Sequence, residues 1–389
     1  MDERNSLKIA WLLPTAWFYW QPTLSELTKK FPQTKVFTGL FPGFAKGFEN
    51  ALDVEVIGGR KVIAVTESST SYGDNFTYLS PQIVPRILQY DPDIVFTSSF
   101  GIWSIIALLL KLFKRWKVVI AYEGSSPGVD YTNSSLRIAL RKMMIWLSDG
   151  CITNSYGGKK YLVEVLNSSE QDVFVHPYEV PDVRSLAEID DNLQYLSSDS
   201  TVKFDDLQHP VFLFVGSIVP RKGVRCLIEA CKSLKQSTTL PFNVLLVGDG
   251  LQSSELKALS DLYDLEDCIK WVGHIEYDNI STYFARADVF VLPTLEDTWG
   301  MVVLEAMLLC KPVICSMGAG ASELIVEAKN GYCFKPNNSE ELASAMEKFV
   351  KQPEKILAMG EFSKQIMNQY TPQAAADVMA KVVSHVALI

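Results

Sequence analysis

Short runs of consecutive apolar residues alternate with amphipathic segments of helical period along almost the whole chain, and the alternation is interrupted once. In the first half the apolar runs fall at 9–13, 35–40, 54–57, 94–98, 118–122, 151–154 and 173–176. Helical patterns lie between several of them, at 23–31, 83–90, 102–113, 136–147 and 159–166. Strands that are apolar along their whole length are buried on both faces, as in a parallel sheet covered by helices. Residues 184–208 are polar and aperiodic and read as a connection between domains. The pattern then restarts, with apolar runs at 211–215, 244–247, 269–272, 289–292, 313–315 and 332–334. Its helical patterns lie at 224–234, 254–262, 279–285, 299–309 and 322–327, and the tail is helical only, at 340–350, 354–368 and 372–386. A chain of 389 residues is longer than one core ordinarily serves. The expectation is an α/β protein of two doubly wound, Rossmann-like domains, residues 1–205 and 206–369. A cleft between them would lie at the carboxyl ends of both sheets.

Charge and composition narrow the function. Lys and Arg number 36 against 45 Asp and Glu, a net −9, and no basic stripe of a nucleic-acid binder is present. The four histidines, His176, His209, His274 and His385, stand far apart with no cysteine or carboxylate at ligand spacing, so no metal site is expected. Seven scattered cysteines without a C-x-x-C pair read as buried, reduced thiols of a cytoplasmic protein. The opening residues, Met1-Asp2-Glu3-Arg4-Asn5, carry no apolar signal region, and the longest apolar stretch, 102–110, is too short to cross a bilayer.

Three strand-to-helix turns in the second half carry the candidate chemistry. In the first, Gly216-Ser217-Ile218-Val219-Pro220-Arg221-Lys222-Gly223, two cations precede a helix. Free amides, the helix dipole and the cations together suit a phosphate, although a solvated turn with two surface cations reads equally well. In the second, Gly248-Asp249-Gly250, glycine lets a ligand approach the backbone, and an ordinary tight turn is the plainer reading. The third runs Glu296-Asp297-Thr298-Trp299-Gly300-Met301 and on to Glu305 inside a helix. Glu305 is a carboxylate among apolar neighbours, and such a group is seldom buried unless it binds something; two ribose hydroxyls are suitable partners. Extrapolating 100° per residue back from the helix sets Asp297 and Glu305 on nearly one side. It also leaves the amides of Trp299, Gly300 and Met301 free at the helix start.

The acid–seven residues–Glu-Ala-Met pattern from Asp297 to Glu305-Ala306-Met307 resembles the signature of the GT-B retaining glycosyltransferases of family 4 (glycosyl transferases group 1). The resemblance extends over Gly216…Arg221-Lys222-Gly223, Gly248-Asp249-Gly250, the 287–293 run, Lys311-Pro312-Val313, Gly318-Ala319-Gly320 and Asn330-Gly331, and so covers most of 210–350. It implies transfer of a sugar from a nucleoside-diphosphate-sugar (UDP-, GDP- or ADP-linked) to a hydroxyl of a glycan, lipid or small molecule, with retained configuration. By the same resemblance Lys222 neutralises the diphosphate and Glu305 holds the ribose. Asp297 with the amides of Thr298–Met301 holds the transferred sugar, and no cofactor or metal beyond the nucleotide-sugar is needed. Many members carry Arg where this chain has Ser217, which leaves Arg221 as the substitute cation. In GT-B proteins the last helix returns to the first domain, so residues 370–389 are expected there.

The first domain is expected to bind the acceptor. Its first loop, 14–22, lacks the family's glycines and offers Trp17 and Trp20 for stacking on a sugar or lipid, or for packing beneath the cleft. Glu123, after the run 118–122, contacts a substrate or caps a turn. Two segments, 102–117 and 136–147, are apolar and basic, with Arg137, Arg141 and Lys142 in the second. They read either as core helices with solvated ends or as a peripheral hold on an anionic membrane, on its inner face, where a lipid-linked or sugar-bearing acceptor would lie. Two other readings remain: a catalytically degenerate GT-B partner or scaffold, and a nucleotide-sugar epimerase, which the shortage of histidines in the second domain disfavours.

Overall fold

A computed structural model of the chain describes residues 6–66, 74–182, 186 and 204–388. The described residues up to 182 and from 370 onward form one compact unit, and those from 204 to 369 form a second. Most of the polar stretch taken as the connection lies outside the described residues.

The first unit is built on strands β1 (Lys8–Leu13), β2 (Gln33–Thr38), β3 (Asp53–Val56), β6 (Ile94–Ser98), β7 (Lys117–Tyr122), β8 (Gly150–Thr153) and β9 (Val173–Val175). They form a seven-stranded sheet in the order β3-β2-β1-β6-β7-β8-β9, with every pairing parallel. Strand β1 shows why the run is apolar throughout. Ala10 and Leu12 pack on one side with Ile83 and Ile87 of α2 (Ile83–Tyr90) and Trp103 and Leu108 of α3 (Ile102–Lys111). Ile9, Trp11 and Leu13 pack on the other with Leu24 and Leu27 of α1 (Gln21–Lys30). Helices α4 (Pro127–Asp130), α5 (Ser135–Leu147) and α6 (Tyr156–Lys160) follow, and α6 runs on as a single π turn, Tyr161–Val165.

The hairpin of β4 (Arg60–Thr66) and β5 (Asp74–Leu79), antiparallel and separate from the main sheet, has no counterpart among the apolar runs. A two-stranded ribbon with Val62 and Tyr78 exposed is not buried on both faces, so a search for continuous apolar runs passes over it.

The second unit repeats the design with β10 (Val211–Val215), β11 (Asn243–Val247), β12 (Ile269–Gly273), β13 (Val289–Leu292), β14 (Val313–Ser316) and β15 (Gly331–Phe334). The order is β12-β11-β10-β13-β14-β15, all parallel. Helices α7 (Val224–Ser237), α8 (Ser253–Leu262), α9 (Ile280–Arg286), α10 (Met301–Leu308), α11 (Ser339–Lys351) and α12 (Ile356–Met367) cover it. The chain winds one way from β10 to β12 and the other way from β13 on, so the carboxyl ends of β10 and β13 flank a crevice where doubly wound sheets bind ligands. The helix expected at 322–327 is instead one 3-10 turn, Gly320–Leu324. The side chain of Asn330 accepts from the Val326 amide at 2.7 Å and donates to the Leu324 carbonyl at 3.2 Å, taking the groups that would propagate a helix.

The last helix, α13 (Pro372–Leu388), belongs to the first unit, as expected for a GT-B chain. Met379, Val382, Val383 and Val386 complete the core over Trp11, and Asp377 pairs with Lys30 of α1 at 2.6 Å. All seven cysteines are unpaired and five are buried. Among the described residues no helix is long and apolar enough to cross a membrane.

Candidate active site

Three turns at the carboxyl ends of β10, β11 and β13 interlock in the second unit. After β10 the chain makes one 3-10 turn, Pro220–Lys222, and enters α7 through Gly223 at φ +67°. The Leu295 amide and the Thr294 hydroxyl both donate to the Arg221 carbonyl, at 2.8 and 3.0 Å, tying this turn to the loop after β13. After β11, Gly248 sits at φ +134°, and a Cβ there would lie 1.9 Å from the Gly216 carbonyl oxygen. The close approach inferred at this glycine is therefore made by the neighbouring turn. Gly248→Ala is expected to lower stability by about 3 kcal/mol through backbone strain and overpacking, read as a lower thermal midpoint. Asp249 closes its own turn: its carboxylate accepts from the Gly250 amide at 2.8 Å and the Ser253 hydroxyl at 2.5 Å. Ser253 first, then Gly250, hold it below the usual carboxylate range.

The loop after β13 brings the charges together. Lys222 Nζ lies 2.5 Å from Asp297 Oδ2, and Arg221 Nη1 lies 3.7 Å from the same oxygen while donating to the Glu296 carbonyl at 2.8 Å. The two cations thus turn inward rather than into solvent. Asp297, 7% exposed, is pinned by its amide to the Gly318 carbonyl at 2.8 Å, and its own carbonyl accepts from the Gly320 amide at 3.1 Å. Burial opposes its charge, but Lys222, Arg221 and the Trp299 amide together hold the carboxyl below its usual range.

Two expectations need correction here. Helix α10 begins at Met301, after Gly300 at φ +96°, so Asp297 lies outside it and the 100° extrapolation does not apply. The Trp299 amide is committed to the Asp297 carboxylate, and its ring is buried. Glu305 meets a different environment. It is 5% exposed and accepts from the Tyr277 hydroxyl at 2.8 Å. Burial pushes it up to about 7, with the Tyr277 hydrogen bond pulling the other way. The loop after β13 thus holds a fixed charge, Asp297, and the helix that follows it a carboxyl poised to titrate, Glu305.

Tyr277 went unnoticed in the sequence, where Glu276-Tyr277-Asp278-Asn279 is simply a polar loop after β12 with no spacing that ties it to Glu305. Tyr277→Phe is expected to raise the Glu305 pKa by about one further unit, because the hydrogen bond favours the charged form; a carbon-13 carboxyl titration measures it. Among the described residues no three His, Cys, Asp or Glu side chains gather as a metal site. A hollow of about 740 Å³ lined by Gln208, Lys235, Asp267 and Lys270 lies at the amino ends of β10 to β12, away from these turns.

In the first unit the aromatic loop divides. Trp20 is 2% exposed, its ring stacked 5.2 Å from Tyr178 and tilted against Trp11 at 5.3 Å, so it is a core residue with no face left for a sugar. Trp17 is half-exposed, and Glu123 follows β7 in a partly buried position.

Comparison with known proteins agrees with this architecture. Residues 199–366 match the family model described as glycosyl transferases group 1. The chain is 24% identical over 226 residues to an uncharacterized glycosyltransferase of Methanocaldococcus jannaschii, covering 57% of this chain and 61% of that one. It is 28% identical over 181 residues to the alpha-D-kanosaminyltransferase of Streptomyces kanamyceticus, covering 46% of each. The matches span about half the length of these curated relatives. Anabaena HepE, solved with UDP, superposes with a TM-score of 0.73 at 17% identity over 97% of this chain and 100% of that one. The fold is that of the GT-B glycosyltransferases, and the match to the group 1 glycosyltransferase model falls on the second unit.

Proposed function

We propose that the protein moves a sugar from a nucleoside-diphosphate-sugar to an acceptor hydroxyl, with retained configuration and without a metal ion. The observation that carries this reading is the largely buried Lys222–Asp297–Arg221 cluster in the turns at the switch point of the second sheet, with the titratable Glu305 in the helix that follows Asp297. In the reaction the bond from the sugar C1 to the β-phosphate oxygen breaks, and the electron pair stays on the phosphate. Lys222 and Arg221 stabilise that charge where it develops, the task a divalent cation performs elsewhere. The acceptor oxygen bonds to C1 on the same face, and its proton passes to the departing phosphate. Glu305, ionised, accepts hydrogen bonds from the two ribose hydroxyls. Asp297 and the backbone of Thr298, Gly300 and Met301 hold the transferred sugar, with Ser217 and the Gly248–Gly250 turn bordering the diphosphate. The first unit takes the acceptor, with Trp17 and Glu123 as its contacts. HepE was solved with UDP and with UDP-glucose, which favours a UDP-sugar as donor.

A degenerate, non-catalytic partner is the second reading, favoured by Ser217 and the glycine-free first loop; the intact Lys222, Asp297 and Glu305 favour an enzyme. A thermal-shift panel of UDP-, GDP- and ADP-sugars tests donor binding, with the UDP-sugar expected to raise the midpoint. No shift with any of them would overturn the donor reading. Equal product from wild type and Glu305→Ala would remove Glu305 from the site.

A further inference from the structure

The surface helix α5 is apolar on the wrong side for a soluble domain. At 100° per residue Leu136, Ala139, Leu140, Met143 and Trp146 fall on an arc of about 120°, and all five are exposed, while Arg141, Met144 and Ile145 point into the core. Its neighbour α3 and the turn that ends it repeat the feature: Leu109 of α3 and Leu112 and Phe113 just past its end are exposed, Phe113 to 87% and Trp146 of α5 to 81%. Inner residues of both helices share one core on one face of the sheet, and Lys111 Nζ donates to the Leu147 carbonyl at 2.7 Å, joining their carboxyl ends. The two apolar sets therefore lie side by side on the outer surface of one helical layer.

Charge marks the same surface. Residues 100–147 hold seven Lys and Arg against two Asp and Glu, and although Lys111 and Lys117 pair with Asp149 at 2.6 and 3.5 Å and Lys114 with Asp91 at 2.9 Å, Arg115 and Lys142 stand beside the apolar residues. The two acids, Glu123 and Asp130, lie outside α3 and α5, and Asp130 is buried, bound by the Tyr122 and Ser125 hydroxyls. Arg141 is spent inside, on the Tyr161 hydroxyl and the Asp130 carbonyl. Arg115 is exposed beside Phe113, and Lys142 lies at the edge of the α5 arc. Exposed apolar groups with a tryptophan at the margin and cations alongside are what a helix lying in a headgroup layer requires. Two copies meeting through this face would set like charges against each other.

We propose that the outer face of α3 and α5 docks on an anionic lipid bilayer. This stands apart from the donor reading, because none of these residues touches the Lys222–Asp297 cluster, and a donor thermal shift reports that reading separately. The test is flotation with phosphatidylcholine vesicles, with and without phosphatidylglycerol. Wild type is expected to float with the anionic vesicles only, and less as salt rises. Phe113→Ser/Trp146→Ser should weaken partition about tenfold or more, and Arg115→Glu/Lys142→Glu by about fivefold per charge. These side chains are solvent-exposed, and circular dichroism checks that each variant is folded. No flotation of wild type on anionic vesicles, or flotation that both variants leave unchanged, overturns the proposal. So does a wild-type dimer in solution that Phe113→Ser/Trp146→Ser turns into monomers.

Discussion

Lys222→Ala is expected to destabilise the second unit by about 3 kcal/mol and to slow sugar transfer by about 10²–10³-fold. The stability loss follows from what is left behind. Lys222 and Asp297 are both largely buried, 2.5 Å apart, and without the lysine the carboxylate loses its nearest cation and keeps the more distant Arg221 at 3.7 Å and the Trp299 amide. In the wild type the folded pKa of Asp297 is depressed. Its contribution to stability is therefore present above the unfolded pKa and lost as pH falls through the folded one. In the variant burial prevails and the pKa rises, so protonation relieves the penalty. The deficit should shrink as pH drops into the ordinary carboxylate range. Lys222→Ala/Asp297→Asn should recover most of the stability and none of the rate, because the neutral pair no longer buries a charge yet still lacks the cation that meets the leaving phosphate. Urea unfolding at two pH values measures the first effect, and single-turnover transfer the second. A Lys222→Ala rate equal to wild type would exclude the lysine from catalysis whatever its stability showed.

Glu305 gives the second large effect, and its sign is opposite. Its folded value of about 7 stands above the ordinary 4.5, so between these values the folded chain holds a proton that the unfolded chain has lost. Stability should therefore fall as pH rises, by about 3 kcal/mol across that window, and level off above it. Glu305→Gln has no such titration, and its pH–stability profile should lack the decline. Donor binding should show the linked behaviour. If the ribose hydroxyls are bound by the ionised carboxylate, affinity for a nucleotide-sugar falls by about tenfold per unit below pH 7, and binding releases one proton. Calorimetry in buffers of differing ionisation enthalpy counts that proton. Zero release near neutrality, with affinity flat down to pH 5.5, would show that Glu305 binds in its neutral form or not at all.

Much of this was legible because the chain states it locally. A strand such as 211–215, apolar at every position, has only one kind of place in a fold. The Gly216-to-Gly223 and Asp297-to-Glu305 segments name their residue types at a helix start. What escaped is what depends on contacts between distant turns. Nothing around residue 277 announces that its hydroxyl will meet Glu305, 28 positions on. Neither could spacing tell that Arg221 and Lys222 would turn inward onto Asp297, because the tie runs through the Arg221 carbonyl to Thr294 and Leu295. Trp17 and Trp20 stand three residues apart and look alike, yet a single 3-10 turn, Phe18–Trp20, sends the second into the core. The exposed stripe on α5 shows the reverse case. Its helical period is plain from residues 136–147, but which side faces the sheet is set by Met144, Ile145 and the buried Arg141.

Helix α13 has a consequence for how the chain can be taken apart. Because Pro372–Leu388 finishes the first unit's core, the second unit is an insert, spliced into its host at two points. Deleting everything after residue 369 would strip the cover from Trp11 and leave the host incomplete. Residues 204–369 form a continuous cassette that can be cut out whole. If the second unit binds the donor as proposed, exchanging that cassette between relatives is expected to transplant donor choice.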